Sequence, residues 1–258
     1  MSVAFIGLGL NDERGLTLEG LEEARQASSV FAEFYTNIMP DLDRKKLELL
    51  IGKKVVVLNR IQLEDEEAKP IVEAFGRGKV AFLVPGDPMI ATTHISIRLE
   101  LARRGIPSRI IHGPSVTSAV CGATGLQSYK FGKSVTLPQE PGVPGSLLDT
   151  VRDNKNRGLH TLILLDIRPE MSQQLTIAEA AAKLVAADPT YERWMGVGVA
   201  RIGSTDQFVL SAKLGKLQNQ DFGRIPHCLV IPGRLHFMEI EALKAFCGAE
   251  DADLEALK

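Results

Sequence analysis

The feature that most constrains the fold is a run of five apolar residues at 80–84 that stops abruptly at a Pro-Gly-Asp-Pro sequence, residues 85–88. A short apolar run that ends in Pro and Gly indicates a buried strand entering a loop. The prolines restrict the loop backbone, and Gly86 leaves room for close approach to it. The tetrapeptide alone fits two interpretations: a tight turn with a solvated aspartate, or one wall of a ligand site.

Two other apolar strands in the first half of the chain end in similar loops. Residues 3–6 run into Gly-Leu-Gly at 7–9, and residues 106–111 run into His-Gly-Pro-Ser at 112–115. Helical patterns separate these strands, which is typical of βαβ units and a mostly parallel sheet. The carboxyl ends of parallel strands lie at one edge of the sheet, so the three loops predict a concave binding site there. We also expect Thr92 or Thr93 to cap the helix at 94–104.

The second half has more short strands, and the chain is expected to form two α/β domains, residues 1–113 and 114–258. Apolar runs at 134–137, 159–167, 195–202, 207–210 and 227–231 predict strands, and an Ala-rich segment at 176–187 predicts a helix. There is no internal repeat and no low-complexity linker.

Charge and motifs argue against several classes of function. The formal net charge is −2 across 258 residues, which leaves no basic excess to neutralise nucleic-acid phosphates. Asp12 stands where a dinucleotide fingerprint needs its third glycine, and none of the three loops carries Lys or Arg. A phosphate-rich ligand is therefore disfavoured, whereas a ligand with hydroxyls and positive charge would suit Asp87.

The histidines and cysteines point to neither a metal site nor a disulfide framework. The five histidines form no H-x-x-x-H pair, and the serines form no G-x-S-x-G elbow. Three widely spaced cysteines suggest reduced thiols and a cytoplasmic protein. No apolar run approaches the ~18 residues that a membrane span needs.

Seven segments taken in order resemble the tetrapyrrole-methylase superfamily of S-adenosylmethionine enzymes, and most closely its diphthamide-biosynthesis branch. Leu10 stands where the superfamily usually has proline after the first Gly-x-Gly. That departure fits the diphthamide branch and speaks against a corrin or siroheme enzyme. The segments that carry the resemblance are residues 7–10, 85–94, 112–115, 125–132, 159–167, 200–204 and 235–237.

The resemblance implies a fold, a cofactor and a partner. It implies two α/β domains with S-adenosylmethionine in a cleft between them, a homodimer, and methylation of the amino group of a modified histidine on translation elongation factor 2. S-adenosylhomocysteine would be the product. It places cofactor contacts at Leu10, Asp87, Ile90, Ser115 and Val116 in the first domain, and at Leu165 or Asp166, Ile202 and His227 in the second.

Two other functions stay open on the same residues. One is a tetrapyrrole methyltransferase of the precorrin or uroporphyrinogen type, and the other is a non-catalytic S-adenosylmethionine-binding protein. No residue stands out as a catalytic base. Lys130, Lys133 and Arg168 are candidate partners for a substrate carboxylate, although each also fits an ordinary surface charge.

Overall fold

A computed structural model describes residues 2–168 and 173–254, which form two compact units that divide between Val116 and Thr117. The predicted domain limits, residues 1–113 and 114–258, remain a prediction. Each unit is an α/β assembly built on its own five-stranded sheet, as expected. No helix in the described ranges has the length and apolarity to cross a bilayer.

The sheet of the first unit is parallel throughout, with the strand order β3-β2-β4-β1-β5. This confirms the parallel pairing predicted from the alternation of strands and helices. The strands are β1 (Val3–Gly7), β2 (Ser29–Ala32), β3 (Val55–Val57), β4 (Val80–Val84) and β5 (Ser108–Ile111).

Both faces of this sheet are covered, which explains why β1 and β4 are continuous apolar runs. Alternate residues of β1 belong to different clusters, with Ile6 on one face and Phe5 on the other. Phe5 packs edge-on against Phe82 of β4, at 5.7 Å between ring centroids. The helices are α1 (Leu18–Gln26), α2 (Arg44–Ile51), α3 (Lys69–Phe75), α4 (Ile95–Arg103) and α5 (Val116–Thr124), the last of which continues into the second unit.

The sheet of the second unit is mostly antiparallel, with the order β11-β10-β12-β7-β6 and only β6 and β7 parallel. Its strands are β6 (Val135–Leu137), β7 (Thr161–Leu165), β10 (Met195–Ala200), β11 (Phe208–Lys213) and β12 (His227–Ile231). Two short strands, β8 (Ile167–Arg168) and β9 (Gln173–Gln174), form a separate antiparallel pair.

Three of the second unit's helices bury side chains together with this sheet in one apolar cluster. Leu147 and Val151 of α6 and Leu184 of α7 are buried in it with the strand residues. Gly198 of β10 makes room for this packing, since a β-carbon there would lie 2.5 Å from the Phe222 ring. The helices are α6 (Gly145–Asn156), α7 (Ile177–Ala187), α8 (Leu214–Leu217), α9 (Phe237–Cys247) and α10 (Asp251–Leu254).

Candidate functional site

The three predicted loops meet at the carboxyl edge of the first unit's sheet. The loops after β1 and β4 pair through their backbones, because Gly9 N donates to Gly86 O (3.2 Å) and Gly86 N donates to Gly9 O (2.7 Å). The loop after β5 packs on both. The prediction that these loops converge is confirmed.

The glycines of these loops serve the contacts between loops. A β-carbon on Gly7 would lie 2.6 Å from both Gly113 N and Gly86 O, and one on Gly113 would lie 2.6 Å from Gly86 O. Neither position can hold a side chain without separating the strands' ends. Gly86 differs: its φ of +71° requires glycine, while the nearest atom to an added β-carbon is Asn37 Nδ2 at 4.0 Å. Space beside Gly86 is therefore open.

Asp87 is buried and held at both carboxylate oxygens. It is 6% exposed, Met89 N donates to Oδ1 (2.9 Å), and His112 Nδ1 donates to Oδ2 (2.7 Å). The interpretation as a solvated turn residue is therefore wrong. His112 is a residue that the sequence reasoning missed as a partner, since 25 positions separate it from Asp87 and no local motif connects them.

The Pro88 carbonyl anchors the other side of the same loop. Thr92 Oγ1 donates to it at 2.9 Å, and His94 Nδ1 lies 3.3 Å from it. His94 is fully buried, and its ring packs edge-on against Phe82 at 5.3 Å. The loop after β4 is thus fastened to the first unit's core on both sides of Asp87.

The predicted cap of α4 is wrong. The helix begins after His94, whose side chain makes no capping bond. Thr92 bonds Pro88, and Thr93 Oγ1 donates to Glu64 Oε1 at 2.8 Å. Both hydroxyls have found partners that a capping pattern cannot reveal.

Glu33 is a buried glutamate next to His94, which bonds this loop. Glu33 accepts hydrogen bonds from Tyr35 N (2.9 Å) and Thr36 N (3.0 Å), and its Oε1 lies 3.8 Å from His94 Nε2. Burial raises the pKa of the Glu33 carboxyl and lowers the pKa of His94 to about 4. His94 is therefore a neutral packing residue at neutral pH.

The other positions predicted to contact the cofactor from the first unit differ in exposure, and Asn11, next to Leu10 in the sequence, adds an acceptor that was not among them. Leu10 is half-buried, Ile90 is 40% exposed, Ser115 is buried, and Val116 begins α5. Asn11 Oδ1 is buried without a hydrogen-bond partner among the described residues. An unpartnered buried acceptor is costly unless a ligand donates to it.

The structure brings the predicted residues of the second unit to one end of its sheet. Cys228 pairs with Leu164 and His227 pairs with Ala200, so the end of β7, the end of β10 and the start of β12 lie side by side. Leu165 ends β7 and Asp166 follows it, while Ile202 lies two residues beyond β10. All four predicted positions therefore share this end.

His227 is buried with both ring nitrogens engaged. Ile177 N donates to Nδ1 (3.3 Å), so Nε2 carries the proton and donates to Arg224 O (3.1 Å). Burial lowers its pKa. The ring lines a cavity of ≈ 130 Å³ together with Thr176, Ala178, Gln220, Asp221, Phe222 and Gly223.

Two candidate partners for a substrate carboxylate are already paired. Lys130 bonds Glu239 and Arg234 O, and Arg168 pairs with Glu140 and with Asp166 at 3.2 Å. The described ranges contain no group of three or more His, Cys, Asp or Glu side chains that could hold a metal ion.

Comparison with known proteins gives one consistent family. The model of the tetrapyrrole (corrin/porphyrin) methylases matches residues 2–218. The chain is 41% identical to the diphthine synthase of Natronomonas pharaonis over 98% of both chains, and 40% identical to that of Archaeoglobus fulgidus over 99% of both. A solved diphthine synthase structure, 39% identical, superimposes over 100% of both chains with a TM-score of 0.92.

Proposed function

The chain belongs to the tetrapyrrole methylase family, and from this premise we propose that it is the diphthine synthase of its cell. It would use S-adenosylmethionine to methylate the amino group of the modified histidine of translation elongation factor 2. The observation that carries the proposal is full-length similarity to proteins of that name in both sequence and structure. The enzyme is a methyltransferase, since its relatives and its family model agree on that class.

The residues at the first unit's loop edge fit S-adenosylmethionine. Its ribose hydroxyls and amino group are donors, which suits the Asp87 carboxylate and the unpartnered Asn11 Oδ1. Leu10 and Ile90 supply apolar surface for the adenine ring, and the open space beside Gly86 lets a ligand reach the backbone. We propose the same cofactor contacts as the sequence predicted, including Leu165, Asp166, Ile202 and His227.

The cofactor supplies an activated methyl group on a sulfonium, so the protein's task is placement and exclusion of water. The loop after β4 is rigid because Asp87 and the Pro88 carbonyl are both tied down. Such positioning supplies up to ~7–11 kcal/mol of barrier reduction in well-oriented reactions. The substrate amine must lose its proton before it attacks, which an apolar surrounding favours.

The proposal extends to the partner, the assembly and the compartment. The protein substrate is elongation factor 2, the enzyme acts as a homodimer, and it works in the cytoplasm. Three cysteines without a disulfide among the described residues are compatible with a reducing compartment.

A second function is kept because the family model is named for tetrapyrrole methylation. The deciding experiment offers radiolabelled S-adenosylmethionine together with elongation factor 2 that carries the unmethylated amino-carboxypropyl histidine, and in parallel with a porphyrinoid. We expect label on the elongation factor alone. Label on the porphyrinoid alone would overturn the proposal, and tight cofactor binding without transfer to either acceptor would identify a non-catalytic binding protein.

A further inference from the structure

We propose that His112 is the general base of the methyl transfer, held in position by the buried Asp87 carboxylate. This inference rests on the proposed function, because it assigns the proton that the substrate amine must lose. It adds a role at the loop after β5 for a side chain that the cofactor contacts do not include.

The geometry sets the protonation of the ring. Asp87 Oδ2 lies 2.7 Å from His112 Nδ1, and a carboxylate can only accept at that distance, so Nδ1 carries the proton. The neutral imidazole then has its lone pair on Nε2. Since Met89 N holds the other carboxylate oxygen at 2.9 Å, the carboxylate cannot turn away and the ring keeps its orientation.

The lone pair on Nε2 is accessible. The His112 side chain is 71% exposed whereas the Asp87 side chain is 7% exposed. Nε2 makes no hydrogen bond to any residue in the described ranges. A buried carboxylate that orients an exposed imidazole is the arrangement of a base that receives a proton from a molecule in solution.

The other four histidines lack this combination. His94 and His160 are completely buried, and His227 has both ring nitrogens engaged. The His236 side chain caps the first turn of α9, where Nδ1 accepts a hydrogen bond from Met238 N (3.4 Å). All five histidines are described by the structure, so His112 is the one that pairs a buried acid with an open nitrogen.

The step balances with this assignment. The substrate ammonium gives one proton to His112 Nε2, and the nitrogen lone pair then attacks the methyl carbon of the sulfonium. The carbon–sulfur bond breaks with its electron pair going to sulfur, which leaves as the neutral thioether. His112 passes its proton to water, so one proton is released for each methyl group transferred.

Two variants distinguish whether His112 acts as the base or only orients Asp87. In His112→Asn the amide nitrogen replaces Nδ1 and keeps the bond to Asp87, but nothing replaces the Nε2 lone pair. His112→Ala loses both. If His112 is the base, both variants lose methyl-transfer activity. If His112 only positions Asp87, the alanine variant alone loses it.

The experiment measures kcat and KM for methyl transfer to precursor-modified elongation factor 2, with S-adenosylhomocysteine affinity by calorimetry and thermal unfolding as checks of folding. We expect kcat of His112→Asn to fall about 10²–10⁴-fold with its affinity for S-adenosylhomocysteine within threefold of wild type. Added imidazole should restore part of the activity of His112→Ala. His236→Asn is the matched control: it replaces the exposed N-cap histidine of α9 by another good capping residue and should keep wild-type kcat.

The outcomes are distinct. Wild-type kcat in His112→Asn would overturn the assignment as base while the proposed function stands. Absence of imidazole rescue together with weakened S-adenosylhomocysteine binding in both variants would show a structural role only. Wild-type enzyme that transfers no methyl to the elongation factor would overturn the proposed function and this assignment with it.

Discussion

At the scale of single residues, the loop edge shows that glycines of one site are needed for different reasons. Gly7 and Gly113 are excluded from substitution by neighbouring backbone at 2.6 Å, whereas Gly86 is restricted by its φ of +71° and has open space beside it. The sequence shows glycine at all three positions but does not show whether a close contact or a positive φ requires it. The effect of a substitution depends on which of these two causes applies.

Gly86→Ala should lower the free energy of unfolding by about 1–2 kcal/mol through left-handed strain, without a steric clash. Gly122→Ala is the matched control: Gly122 lies within α5 with nothing within 4 Å of its added β-carbon, so alanine should raise stability by about 0.5–1 kcal/mol. Urea unfolding of both variants measures the difference. Equal effects in the two variants would refute the conformational explanation.

Asp87→Ala should weaken S-adenosylhomocysteine binding by about 1–3 kcal/mol, because the carboxylate is proposed to accept hydrogen bonds from the ligand. Titration calorimetry measures the loss. Asp65→Asn, at the exposed last residue of a short π-helix (Ile61–Asp65), is the control and should bind as wild type does. Unchanged affinity in Asp87→Ala would contradict the proposed cofactor contact at this loop.

At the scale of elements, α9 is tied to the rest of the second unit through one buried glutamate. Glu239 caps its own helix by accepting from His236 N (2.8 Å), and it also accepts from Gln127 N (2.9 Å) and His160 Nε2 (2.9 Å) and pairs with Lys130. Burial alone would raise its pKa, but these donors outweigh burial and lower the pKa to about 2.

This network should make the protein sensitive to acid. The pKa of Glu239 is lowered from 4.5 to about 2, so its ionised carboxylate contributes fully to the free energy of unfolding above pH 4.5. That contribution, roughly 3 kcal/mol, is lost as the pH falls toward 2. In Glu239→Gln, stability measured by urea unfolding should depend less on pH over that range and be lower at pH 7. Glu241→Gln, whose side chain on the same helix is 71% exposed, should keep the wild-type slope. An unchanged slope in Glu239→Gln would contradict the role of this network.

Elements were predictable where their pattern is local. The strands β1, β4 and β12 follow directly from apolar runs. Contacts between distant residues were not predictable: Thr93 bonds Glu64, and His112 bonds Asp87. The antiparallel pairing of the second unit also leaves little trace in sequence, because β10 and β12 are buried on both faces and do not alternate.

At the scale of the whole molecule, the proposed cofactor contacts come from both units, each of which has its own core. A ligand that binds only the folded protein at 100 times its Kd adds about 2.7 kcal/mol of stability. Whether that stabilisation reaches both units is therefore a test of the contacts proposed in the second unit.

At about 100 times its Kd, S-adenosylhomocysteine should raise the unfolding temperature by roughly 5–10 °C, whether unfolding is monitored in the first unit or in the second. Trp194, the single tryptophan, reports the second unit by fluorescence, and hydrogen exchange of β1 and β4 amides reports the first. A shift in the exchange of the first unit with no shift in the Trp194 transition would remove Leu165, Asp166, Ile202 and His227 from the cofactor site. Adenosine monophosphate at the same concentration is the ligand control and should shift neither signal.

The mutual packing of Gly7, Gly86 and Gly113 has a consequence for how this chain can evolve. A side chain on Gly7 or on Gly113 would meet backbone atoms of the other glycine and the Gly86 carbonyl oxygen, whereas Gly86 itself is restricted by its positive φ. A second substitution cannot relieve a change at Gly7 or Gly113, because the obstructing atoms belong to backbone that every residue carries. Random mutagenesis with selection for folding should therefore recover variants throughout the outer helices before it recovers any at these three sites.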